Sequence, residues 1–347
     1  MLFSILTFLV AFFVLGFLIF IHELGHFLMA KRAGVKVQEF GFGYPPRLFG
    51  IKRGETIYSV NLIPWGGFVR VLGMDEPSQA KESYSKASIW RRFLIIVGGV
   101  LMNFILGILI FTIGFSLGMP PLLTNPKGQN NNLVVAEVVK DSAAQGAGIK
   151  KDDIIFGFET AEDLNTFTNS HKGQTVDLTI KKDETQKTIQ VVLPNKTDPL
   201  GVATEMVVKV KLPIHKAFWL AMQETYLLTR EIFIFLGKFV ALLFHGQLSK
   251  DVAGPVGIYN ITSRVLQLGF ISSLEFIGLL SVNLAVLNIA PFPALDGGRL
   301  IFIILEMIRG KKVITHTVEN IVHAIGFVLL ILLMIAITFQ DILRLRG

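Results

Sequence analysis

An uncharged apolar run covers residues 2–21, breaks at His22-Glu23-Leu24-Gly25-His26, resumes from Phe27 to Ala30, and is closed by Lys31 and Arg32. About 20 apolar residues are enough for a helix to cross a bilayer, so residues 2–30 predict a first span. Three further runs meet the same criterion. Residues 93–119 follow Arg91 and Arg92 and end at Pro120-Pro121; residues 274–296 and 321–339 are the third and fourth. A fifth apolar stretch, 232–244, is too short and carries Lys238 in its middle. Together with the mixed segment before it, which holds Trp219, Glu224, Tyr226 and Arg230, it predicts one or two amphipathic helices at the outer interface over residues 217–245.

Between the spans the periodicity changes. Residues 56–62 and 68–72 flank Ile63-Pro64-Trp65-Gly66-Gly67 and predict a β-hairpin. In residues 133–193 the order is strand, turn, a short helical turn at 142–146, and a second strand, followed by a helix near 162–169 and alternating strands at 175–180 and 188–193. Four stretches result: 1–119 with two spans and the hairpin, an exported domain at 120–212, interfacial helices and linker at 213–273, and two spans at 274–347.

Composition agrees with this division. Hydrophobic residues are 52% of 347, 29 residues are Phe, and mean hydropathy is +0.58, which fits a polytopic membrane protein and not one large soluble core. The net charge of +7 is no sign of nucleic-acid binding, because Lys and Arg gather in the loops 31–92 and 299–312. The positive-inside rule makes those loops cytoplasmic. The N-terminus, the segment from 120 to about 273 and the C-terminus then lie outside, with Arg344 and Arg346 opposing weakly. The chain has no cysteine, so an exported domain folds without disulfides and thiolate metal ligands are excluded. The N-terminal run lacks a basic leader and is read as a retained span, not a signal peptide.

The break in the first run carries the chemistry. His22 and His26 are four residues apart, so a helix presents both imidazoles on one face to one metal ion. Glu23 lies beside them as a base toward a water at the metal. HExxH is short and arises by chance, but ionisable groups inside a span are costly and mark function. Lys31 is nine residues beyond His22, which puts the motif roughly 13 Å from the cytoplasmic loop. Catalytic zinc takes three protein ligands and keeps one position open. Asp296 arrives at a similar depth at the end of the third run, where Pro291, Pro293, Gly297 and Gly298 break the helix. Glu319 and His323 are weaker candidates, and a lone membrane histidine is usually bonded to a neighbouring helix.

These motifs resemble the site-2 protease family of intramembrane zinc metalloproteases, closest to the bacterial regulator of sigma-E protease type. The matching pieces are HELGH at 22–26, GFG at 41–43, IPWGGFV at 63–69, GPVGI at 254–258 and NLAVLNIAPFPALDGG at 283–298. The segment 133–193 is similar to a PDZ domain, with room for one where Gram-negative members often have two. The resemblance implies that His22, His26 and Asp296 bind Zn²⁺, that Glu23 is the base, and that Asn283 and Asn288 handle substrate. It implies a membrane-associated β element that holds an unwound substrate by strand pairing, in a multi-pass protein of the bacterial inner membrane. The expected substrates are transmembrane proteins already shortened by a site-1-type protease, such as an anti-sigma factor, or remnant signal peptides, met among membrane lipids.

Two rival functions remain. A membrane PDZ-type scaffold with a vestigial zinc site would not need Glu23, since structural zinc requires no base. A metal transporter would spread polar groups along its spans, whereas here they cluster at one depth.

Overall fold

The computed structural model describes residues 2–124, 133–151, 153–158, 161–182, 185–196, 198–206, 211–246, 252–312 and 314–346. It contains two compact units, Met1–Gly114 with Ala217–Gly347, and Phe115–Lys216.

Among the described residues of the first unit, four helices are long and apolar enough to cross a membrane: α1 (Leu2–Arg32), α2 (Ile89–Leu117), α7 (Phe270–Ile289) and α9 (His316–Arg346). Only 11% of the most apolar window of α9 is buried within the protein, as suits a helix facing lipid. Small residues set the helix contacts. A Cβ on Gly25 of α1 would run into the Gly98 carbonyl of α2, so the two backbones touch at the HELGH motif itself. Further along α2, Gly107 lies against Val282 of α7, and Ser281 Oγ donates to the Asn103 carbonyl at 2.8 Å.

The hairpin expected around Ile63–Gly67 is not what forms. Two long strands, β1 (Val37–Arg53) and β2 (Thr56–Val71), turn at Gly54 (φ +63°). Residues 56–62 and 68–72 do not pair with each other. Residues 39–42 lie between them, with Phe42 opposite Val60 on one side and Gly67 on the other. Residues 47–53 pair with 56–61 on the far side. The Pro-Trp-Gly segment does reverse the chain, as its turn residues suggest. It reverses around an interposed strand, whose glycines Gly41 and Gly43 weaken its β signature in the sequence. This sheet packs along α1, with Trp65 on Phe12 (5.8 Å between ring centroids) and Phe40 on Phe20 and Phe27 (5.2 and 4.7 Å). Leu48, Phe49, Ile51, Leu62 and Trp65 are exposed on it, an apolar surface out of place in water.

Residues 217–245 lie in one continuous helix, α5 (Ile214–Phe244), up to Phe244. The GPVGI motif starts α6 (Pro255–Leu268), whose Gly257 N–H donates to Asp341 Oδ2 of α9 at 2.8 Å. The third apolar run breaks before Asp296, where its prolines and glycines predict a break. Helix α7 stops at Ile289, an irregular stretch follows, and α8 (Asp296–Arg309) begins at the aspartate. The cause is local: Pro291 and Pro293 have no N–H to continue the ladder. Arg92 of α2 forms a bidentate pair with Glu306 of α8 (2.7 and 3.0 Å), which fixes α8 against the helix pair that carries the motif.

The second unit is an antiparallel sheet of order β6-β5-β4-β3-β7: β3 (Leu133–Val138), β4 (Ile154–Ile155), β5 (Thr175–Lys182), β6 (Thr185–Val192) and β7 (Val202–Met206). Leu133, Val135, Ile155, Leu178, Val191 and Leu193 form its core. The short helix α3 (Ala143–Gly146) is capped by Ser142 Oγ, and α4 (Ala161–Ser170) packs Leu164 inward. Strand β7 lies beyond residues 133–193, the segment whose alternating pattern predicts strands.

Candidate metal centre and active site

The site is built from α1, the start of α8 and the sheet edge. Helix α1 places His22 and His26 one turn apart with both rings buried. Their Nε2 atoms are 3.1 Å apart, and Asp296 Oδ2 is 3.0 Å from each. Ligands around tetrahedral zinc stand ~3.3 Å apart for bond lengths near 2.0 Å, so the triangle has the size of one face of such a shell. Its chemistry points the same way. His26 Nδ1 donates to the Ile95 carbonyl at 2.8 Å, which leaves Nε2 as a bare lone pair. That lone pair faces another imidazole nitrogen and a carboxylate oxygen, and a shared cation satisfies all three. One nitrogen of each histidine and a carboxylate oxygen of Glu23 also lie within 4.8 Å of one another. The residues present therefore fit a zinc ion.

The neighbouring backbone is shaped for this cluster. A Cβ on Gly99 of α2 would meet His26 Nε2 and lie 2.8 Å from His22 Cε1. On the other side, the loop before Asp296 folds over the start of α8. Phe292 N–H donates to the Ala290 carbonyl (2.7 Å) and Leu295 N–H to the Phe292 carbonyl (3.2 Å).

A cavity of about 450 Å³ opens beside these groups, lined by Glu23, His26, Val69, Asp75, Asp296 and Arg299 among others. Val69 N–H, on the sheet edge, donates to Glu23 Oε2 at 3.1 Å. Arg299 Nη2 donates to Asp75 Oδ1 at 2.7 Å, and Asn320 Nδ2 to the Asp75 carbonyl at 3.3 Å. Burial opposes the Arg299 charge, but the Asp75 carboxylate outweighs it and holds the guanidinium above its ordinary pKa.

The structure thus brings His22, Glu23, His26 and Asp296 together. Asn283 and Asn288 are half-buried on α7, and neither lines the cavity. His323 does line it, but its Nδ1 accepts from Ala294 N–H (3.0 Å) and does not join the triangle. Glu319 pairs with His316 at 4.0 Å. Sequence reasoning missed the roles of Val69, Ile95, Gly99 and the Asp75–Arg299 pair. Two of these act through backbone groups, which are present whatever the side chain, and only Gly99 beside Gly98 left a sign, as a small-residue helix contact.

Comparison with known proteins places these residues in context. The model of Peptidase family M50 matches residues 10–333, a range that contains all four. A relative from Clostridium acetobutylicum is 35% identical over 98% of both chains. The zinc metalloprotease RasP of Geobacillus kaustophilus is 30% identical over 98% of this chain and 97% of its own. The regulator of sigma-W protease RasP of Bacillus subtilis is 28% identical over 99% of both. With the match spanning nearly its whole length, from the HELGH helix to the last apolar helix, the chain belongs to peptidase family M50.

Proposed function

We infer that this chain is an intramembrane zinc metalloprotease that hydrolyses peptide bonds in or near membrane-spanning segments of other proteins. The observation that carries the reading is the triangle of His22 Nε2, His26 Nε2 and Asp296 Oδ2 with Glu23 beside it, set in an apolar helix. His22, His26 and Asp296 hold the metal. Bound zinc supplies Lewis acidity, which polarises a carbonyl and makes water acidic enough to attack near neutral pH. Glu23 takes the proton of the attacking water at its carboxylate and delivers it to the leaving amine nitrogen. The Ile95 carbonyl keeps His26 in the tautomer this requires.

The substrate must be unwound, because a helix hides its peptide bonds. The strand at 67–71 pairs with 37–42 along one edge only, and its other edge faces Glu23. An extended substrate added there regains hydrogen bonds lost on unwinding. The apolar face of the sheet supports its lying within the bilayer, and the family resemblance supports substrate handling by Asn283 and Asn288 on α7. Lys and Arg in the loops 31–92 and 299–312 support a site opening to the cytoplasm. The N-terminus, second unit and C-terminus then lie outside the bacterial inner membrane. The strands and helices described in the second unit support reading it as a single PDZ-type module. A relative named as a regulator of sigma-W protease supports a membrane-anchored anti-sigma factor, trimmed by a site-1-type protease, as substrate, with remnant signal peptides as the second class.

The test is Glu23→Gln in liposomes with a single-span substrate. The variant keeps one zinc per chain and leaves the substrate whole. Cleavage at the wild-type rate would remove Glu23 from the mechanism.

A further inference from the structure

We propose that His323 is a positioning residue: its Nδ1 holds the loop that delivers Asp296 to the metal. This rests on the reading of Asp296 as the third ligand.

Ala294, two residues before Asp296, sits at φ +79°, a region that L side chains avoid. A loop so bent needs an external hold. The residue before it is proline and donates nothing, and Phe292 and Leu295 spend their N–H groups inside the loop. The Ala294 N–H instead crosses to α9 and donates to His323 Nδ1 at 3.0 Å. Three residues further on α9, on the same face, Gly326 lets the helix meet Pro293, where any Cβ would collide with the Pro293 ring and carbonyl. The ring also stands edge-on to Phe302 of α8, with centroids 6.2 Å apart. One face of α9 therefore grips the chain on both sides of Asp296. The direction of the hydrogen bond fixes the imidazole too: Nδ1 accepts, so the proton of the neutral ring is on Nε2. Nε2 is buried and has no hydrogen-bond partner among the described residues, so the bond to the ring that the structure records is the one to the loop.

Two isosteric amides separate the ring nitrogens. In His323→Asn the amide oxygen falls near the place of Nδ1 and still accepts from Ala294. In His323→Gln the amide reaches the place of Nε2 and leaves Ala294 without an acceptor. His323→Phe keeps the ring and removes both nitrogens. Zinc affinity, measured by chelator competition on the full chain in detergent, is expected to fall about 10–100-fold in the Gln and Phe variants, the range for losing a group that orients a ligand. It is expected to stay within about threefold of wild type in the Asn variant. In cleavage of a single-span substrate, kcat is expected to follow zinc affinity while KM holds. Equal loss in Asn and Gln, a Gln variant better than Asn, or a Phe variant that binds zinc like wild type would each overturn the proposal. Asp296→Asn is measured alongside. If that variant kept full zinc affinity, the ligand assignment would fail instead, a result separate from the pattern at His323.

Discussion

The Val69 N–H donates to Glu23 Oε2 at 3.1 Å, joining the proposed base to the strand that borders it. Val69 stands opposite Phe40, and because its N–H goes to Glu23 the two form a pair whose N–H groups point away from each other. Val69→Pro deletes it without breaking the ladder. A hydrogen bond to a charged group contributes about 1.5–3 kcal/mol, so turnover should drop about 10–100-fold with zinc content unchanged. Steady-state cleavage and metal analysis of the same sample check this, and loss of zinc would show that the residue acts on the fold instead.

Gly99 lies where a side chain and the metal would compete. Gly99→Ala should bind zinc at least tenfold more weakly, because the new methyl meets His26 Nε2 and His22 Cε1 on packed helices that have little room to part. Metal titration reads the effect directly. An alanine variant with wild-type affinity would show that α1 and α2 separate freely.

Acid should loosen the sheet through Glu39. Burial alone would raise its pKa, but the Ser59 hydroxyl (2.7 Å) and the Arg47 guanidinium (2.6 and 3.0 Å) outweigh it and hold the carboxyl below its ordinary value of 4.5. A depressed folded-state pKa gives stability that is present above the unfolded value and lost as pH falls through the folded one. Trp65 fluorescence should therefore change below pH 4.5, and Glu39→Gln should be less stable at pH 7 and flatter on the acid side. Parallel acid curves for the two proteins would remove Glu39 as the cause.

Asp341 caps α6 from a distance. Replacing it with Asn keeps its size and removes the charge at the Gly257 N–H, at a cost of about 1 kcal/mol of stability. The unfolding midpoint in detergent should fall by a few degrees, with the activity of the folded fraction intact. An unchanged midpoint would mean that α6 is held by its packing alone.

The spans were legible because hydrocarbon imposes a length and a composition that a single chain displays. His22 and His26 were legible because helical period puts residues four apart on one face, and Asp296 because a carboxylate among prolines at the end of an apolar run needs a reason. The pairing of the sheet was not legible. Turn residues at Pro64–Gly67 announce a reversal, but they do not say which strand lies between its arms, and the interposed residues 39–42 pair on both sides. Nor could the sequence show that Ile95 and Val69 serve the site, since both do so through groups common to every residue.

His22 and Asp296 are 274 residues apart in the chain and 3.0 Å apart in space. A protease that could cut membrane helices while still being synthesised would endanger its neighbours in the translocation channel and its own unfinished spans. The proposed ligand set works against that. On the ligand assignment proposed above, the ion has only two of its three anchors until residue 296 has been made and α8 has docked, so a chain that stops short of α8 carries an incomplete site.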